Sequence, residues 1–132
     1  MSPKPFVVNE SQCRTEGWND PMRGVVRWKT LLSADRTPTD TLTMGVAELS
    51  REDGADYKLH RHVQAEAYYV LSGEGAVSID AVEHALSPGD AVFIPSGALH
   101  AARCTGSEPL RLLYVFAANA FEQIVYEFPG QD

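Results

Sequence analysis

His60-Arg61-His62 is the segment of this chain whose residue types and spacing most clearly suggest chemistry. Alternate residues of a β-strand project to one face. Two imidazoles spaced i, i+2 on a strand therefore have roots roughly 6–7 Å apart, within reach of a single ion. Glu66 follows after the bend Val63-Gln64-Ala65, and Tyr68 and Val70 share its face. His100 lies far downstream, behind a proline-glycine turn, and joins the others only if the fold brings it there. Three imidazoles and a carboxylate form a mixed nitrogen and oxygen set, which suits Fe(II), Mn(II), Ni(II), Zn(II) or Cu(II) better than calcium or magnesium. The expected cofactor is one divalent transition metal ion, with Fe, Mn, Ni and Zn as the leading choices. Four protein ligands on an octahedral ion leave two positions for substrate or water, which separates a reactive site from a closed structural one. The bland alternative is that these histidines are ordinary polar residues on a half-buried strand. The H-x-H pair beside a glutamate weighs against it.

Such a set needs a scaffold, and the punctuation of the chain suggests one. Glycine and proline recur about every eight to fifteen residues, with short runs rich in Val, Leu, Ile, Tyr and Phe between them, as in an all-β sandwich or barrel. Strands are expected at 25–32, 41–49, 56–62, 65–71, 91–94, 99–104 and 110–117, with a hairpin from 76–79 and 84–86. Leu42, Met44 and Val46 share one face of the second of these. Glu16 to Pro21 reads as turn chemistry, and residues 119–125 as a short helix or an edge strand. Gly73, Gly89 and Gly97 fall where turns call for positive φ. The division is an irregular N-terminal segment, 1–24, and one domain, 25–132.

Composition narrows the function. The 132 residues include 18 acidic and 11 basic side chains, a formal charge of −7. That balance disfavours nucleic acid, whose phosphates demand a basic surface, and anionic membranes. Cys13 and Cys104 are too few for a disulfide framework and read as free thiols of a reducing compartment. The N-terminus lacks the apolar run of a signal peptide, so a cytoplasmic protein is expected. Among the aromatics Trp28, Tyr57, Tyr69, Tyr114, Phe116 and Tyr126, most should fill the core. A box around a cationic substrate is a second use, with Trp28 and Tyr126 preferred and Tyr57 and Phe116 as further substrate-binding candidates. Tyr68, two residues past Glu66, is the candidate general base, because a nearby cation favours phenolate. Lys29, Lys58 and Arg111 are candidate anchors for a substrate carboxylate. His84 sits in the hairpin and should be exposed.

These residues resemble the cupin family. Gly54, His60, His62, Glu66 and Gly73 match its first motif, G-x5-H-x-H-x3-E-x6-G, at every spacing. Gly89, Pro95, Gly97 and His100 match the second, G-x5-P-x-G-x2-H. Cys104 replaces the closing asparagine of that motif. The resemblance implies a double-stranded β-helix (jelly-roll) barrel, a metal in its mouth, and pairing into homodimers. Within the family, the runs 24–29, 45–49, 65–68 and 121–129 look like the small cupin lyases that cleave dimethylsulfoniopropionate. That likeness implies β-elimination to dimethyl sulfide and acrylate, with Tyr68 as the metal-adjacent base and a second tyrosine near Tyr126. Rival readings are an O2-dependent dioxygenase, a sugar or hydroxy-acid isomerase, and a non-catalytic module that binds a small molecule.

Overall fold

The computed structural model describes residues 2–53 and 58–130. Its strands are β1 (Glu16–Asp20), β2 (Gly24–Leu32), β3 (Thr43–Leu49), β4 (Glu66–Ser72), β5 (Gly75–Ile79), β6 (Val82–Leu86), β7 (Ala91–Ile94), β8 (His100–Cys104) and β9 (Leu110–Phe116). The helical elements among the described residues are single 3₁₀ turns at Glu10–Gln12, Arg51–Asp53 and Phe121–Gln123. The strands form two antiparallel sheets, one ordered β1-β2-β3-β9-β4-β7 and the other β6-β5-β8. The expected all-β barrel is therefore present. Cys13 and Cys104 are free thiols, as expected, and Cys104 is buried. No helix among the described residues is long and apolar enough to cross a membrane.

Alternation builds the interior. On β9, Leu110, Leu112, Tyr114 and Phe116 are buried, and the residues between them are less so. Register then sorts the inward residues into rows. Thr43, Phe116, Glu66 and Ile94 lie side by side across four strands, with Gly45, Tyr114, Tyr68 and Val92 in the next row. Ala47, Leu112 and Val70 follow, and Leu49 pairs with Leu110 beyond them. Polar and aromatic chemistry thus occupies one end of the barrel and aliphatic packing the other. The buried aliphatics supply the hydrophobic drive that holds the sheets together. Gly45 is needed for space: a Cβ there would overlap the Tyr114 hydroxyl.

Two expectations need correction. Glu16 to Asp20 is a strand, not a turn, and pairs with β2 so that Trp18 lies opposite Val26. Its alternation of half-buried Glu16, Trp18 and Asp20 with exposed Gly17 and Asn19 is a strand signature that the flanking Gly and Pro disguised. On β3 the core face is Thr43, Gly45, Ala47 and Leu49. Met44 and Val46 share the other face, as expected, with Val46 itself 6% exposed, and Leu42 precedes the strand. Of the expected strand 56–62, the described part, 58–62, forms two isolated bridges, His60 with His100 and Arg61 with Glu127. Gly54, Asp56 and Tyr57 lie outside the described residues. Elsewhere the expected hairpin is present, turning at Asp80 and Ala81 with φ of 48° and 69°, the mirror-image turn that suits strand twist.

Candidate metal centre and aromatic chamber

Three segments deliver the four expected ligands. His60 and His62 stand just before β4, Glu66 opens β4 and His100 opens β8. The backbones of His60 and His100 exchange hydrogen bonds of 3.1 and 2.9 Å, which ties the first segment to the last. Relative exposures are 1% for His60, 4% for His62, 5% for Glu66 and 0% for His100, a density of buried polar groups that calls for a partner.

Hydrogen bonding sets the ring tautomers. Nδ1 of His60 lies 2.8 Å from the Lys58 carbonyl, Nδ1 of His62 2.8 Å from the Gln64 carbonyl, and Nδ1 of His100 2.9 Å from the Ala98 carbonyl. A carbonyl only accepts, so each Nδ1 carries the proton and donates it. Every neutral ring then turns an Nε2 lone pair inward. Oε1 of Glu66 is 3.2 Å from Nε2 of both His62 and His100, and a carboxylate also offers only lone pairs. Burial first, and His100 next, hold His60 well below the ordinary imidazole range and favour its neutral form. Lone pairs facing lone pairs in a buried site are the arrangement that a cation resolves. His60, His62 and His100 offer ligand atoms all within 4.8 Å of one another, so the group is able to hold a metal ion.

Beside this cluster lies a narrow chamber of about 30 Å³, open on one side. Glu66 forms part of its wall. Trp18, Trp28, Tyr68, Tyr114, Phe116, Phe121 and Tyr126 supply the aromatic lining, and Val26, Ala47 and Leu112 the rest. Rings join the chamber to the cluster: Tyr126 lies 5.4 Å from both His60 and His62, and Phe116 lies 5.1 Å from His62. Glu66 is the only charged residue of the lining, among the described residues.

Of the sequence candidates, Tyr68, Trp28, Phe116 and Tyr126 all reach the chamber. Tyr57 lies outside the described residues. The proposed carboxylate anchors do not line it. Lys29 reaches the Glu10 carbonyl, and Arg111 pairs with Glu10 and Glu48. Lys58 contributes its carbonyl to His60. His84 is exposed on β6, as expected. Burial pushes the Tyr114 phenol up, so this second buried tyrosine is held neutral. Trp18 and Phe121 were missed. Trp18 meets Trp28 at 5.2 Å and Tyr126 at 4.9 Å, and its strand pattern was the overlooked signal. Phe121 is held through its backbone N–H, which donates to the Ser33 hydroxyl at 3.0 Å, a contact 88 residues apart that local pattern does not reveal.

Comparison with known proteins agrees with this geometry. The cupin domain pattern matches residues 48–116, just over half of the chain. The chain belongs to the cupin family. One cupin relative, the dimethylsulfoniopropionate lyase DddW of Ruegeria pomeroyi, is 36% identical over 124 residues, covering 94% of this chain and 80% of the relative. A predicted oxalate decarboxylase from Thermotoga maritima superposes with a TM-score of 0.72 at 28% identity, covering 86% of this chain and 99% of that one. The polyketide cyclase RemF of Streptomyces resistomycificus reaches a TM-score of 0.78 at 18% identity, covering 98% of this chain and 88% of that one, a likeness of fold alone. A shared fold does not by itself fix the chemistry.

Proposed function

We propose that this cupin is a metal-dependent carbon–sulfur lyase that splits dimethylsulfoniopropionate into dimethyl sulfide and acrylate. The observation that carries the reading is the pairing of a His60, His62, Glu66 and His100 cluster with an aromatic chamber that contains Tyr68 and has no lysine or arginine among its described lining residues. The 36% identity to DddW over nearly the whole chain supports it. The substrate is a zwitterion, and the two ends of the site suit its two charges. Aromatic faces attract a sulfonium, and Trp28, Phe116 and the neighbouring rings offer them; the one carboxylate of the described lining, Glu66, belongs to the cluster. With no cationic side chain at hand, the carboxylate turns to the cluster.

A divalent ion held by the four ligands would supply the positive charge that binds the carboxylate and stabilises the negative charge developing beside it. Tyr68, as phenolate, takes the proton from the carbon next to the carboxylate. The freed C–H electron pair becomes the new double bond, and the C–S pair departs with sulfur as neutral dimethyl sulfide. Tyr126, against the imidazoles of His60 and His62, is the second tyrosine of the site and covers the reacting end from solvent. Tyr114 is held neutral by burial and serves as wall.

The test is headspace detection of dimethyl sulfide from protein loaded in turn with Fe(II), Mn(II), Ni(II) and Zn(II), with and without oxygen. Release above a metal-free control, undiminished in anaerobic buffer, is the expected result. Absence of release with every metal ends the lyase reading, and a strict need for oxygen would favour a dioxygenase.

A further inference from the structure

We infer that residues 124–129 form a strap closed over the metal cluster, with Arg61 and Glu127 as its latch and as positioning residues for Tyr126. This rests on the metal reading of the cluster but not on the identity of the substrate. The four cluster side chains are at most 5% exposed and Tyr68 is 4% exposed, and the chamber beside them is too narrow for more than a water-sized ligand, so a larger one reaches them only if some element moves. The strap is the element lying directly on the cluster. Extended backbone alternates its side chains: Val125 and Glu127 are exposed, while Tyr126 and Phe128 are half-buried. Tyr126 lies against His60 and His62, and Phe128 is 5.7 Å from His60. Both rings also meet Trp18, at 4.9 and 6.0 Å.

Besides the ring packing of Tyr126 and Phe128, the polar ties that hold the strap down are slight. Arg61 and Glu127 exchange two backbone hydrogen bonds of 3.0 Å, the only backbone pairing of residues 125–130 among the described residues. Their side chains add a pair at 3.2 Å that is 43% and 63% exposed, a kind of ion pair that contributes little. Ile124, 7% exposed in the core, anchors the near end. A buried pivot, a single bridge and a solvent-facing pair describe an element able to lift by itself. Because Arg61 stands between the two histidines, the latch registers Tyr126 on the ligands directly.

The latch is testable by locking it. Residues that exchange both backbone bonds in an antiparallel pair have Cα atoms about 5.5 Å apart, within disulfide range. The double variant Arg61→Cys, Glu127→Cys, in a Cys13→Ser background, is compared oxidised and reduced. Oxidation should slow chelator extraction of bound Zn(II) by about tenfold or more, since the cluster then opens only with the strap held. It should also reduce acrylamide quenching of Trp18 and Trp28, the only tryptophans of the chain and both in the chamber wall. Glu127→Pro, which removes one of the two bridge donors, should increase quenching and speed extraction. Equal quenching in oxidised, reduced and proline forms overturns the proposal. The quenching arm needs no metal, so a protein that takes up no ion would sink the metal reading while still judging the strap.

Discussion

Tyr68 reaches the chamber through parity. Glu66, Tyr68 and Val70 are the buried residues of β4, and Ala67, Tyr69 and Leu71 face outward. The same two-residue period places Tyr68 one row from Glu66, beside Tyr114. Both tyrosines lie in the row next to the cluster's carboxylate, and burial pushes the Tyr114 phenol up. If Tyr68 is the base, Tyr68→Phe keeps the ring that fills the barrel and removes the proton acceptor. Turnover should fall by about 10²–10⁴-fold, the usual worth of a positioned base, with metal content and melting temperature nearly unchanged. Steady-state kinetics with elemental analysis reads this, and a Phe variant of normal turnover would assign the base elsewhere. Tyr68 was legible in the sequence because it depends only on strand parity; Phe121 was not, because the Ser33 hydroxyl that holds its backbone comes from another part of the chain.

The hairpin of β1 and β2 shows how an element positions a residue it does not itself bury. Trp18 enters the chamber because β1 is clamped at its start. Glu16 accepts two hydrogen bonds of 2.8 Å from Arg36 and one of 2.8 Å from Thr30. The Arg36 hydrogen bonds, aided by Thr30 and opposed by partial burial, hold the Glu16 carboxyl below its ordinary value near 4.5. A carboxyl lowered in the folded state contributes stability that is fully present above that ordinary value. The contribution is lost as pH falls through the lower folded value. Glu16→Gln should therefore destabilise the protein by about 0.5–1 kcal/mol at pH 7, a modest effect because Arg36 is partly solvated, and by little near pH 3. Chemical denaturation at the two pH values measures it; an equal loss at both would mean that the ionised pair is not what holds β1.

At the scale of the molecule, the outer face of the large sheet is as patterned as the inner one. Met44, Val115, Ala67 and Phe93 form one row across β3, β9, β4 and β7, and Val46, Leu113, Tyr69 and Ala91 form the next. Neither row contains a charge, and Phe93 and Tyr69 remain 68% and 46% exposed. Exposed apolar faces are a common site of association between chains. A second copy of the chain suits it, in line with the homodimer expected from the cupin resemblance. Sedimentation should find a dimer, and Phe93→Asp should shift it to monomer by placing a charge at the exposed end of the apolar row. A wild-type monomer at micromolar concentration would reject the pairing.

The sequence by itself determined what depends on local period and spacing. The strand parity that turns Glu66 and Tyr68 inward, the turns at Gly73, Gly89 and Gly97, and the two motifs carrying all four candidate ligands are of this kind. Tertiary structure alone decided which face of β3 is the core, that Trp18 lines a wall, that the loop holding Ser33 fixes Phe121, and that Glu127 closes on Arg61. The reason is physical. Periodicity reports that one face differs from the other, but which face is buried, and which distant segment covers it, depends on packing between parts of the chain that share no local pattern.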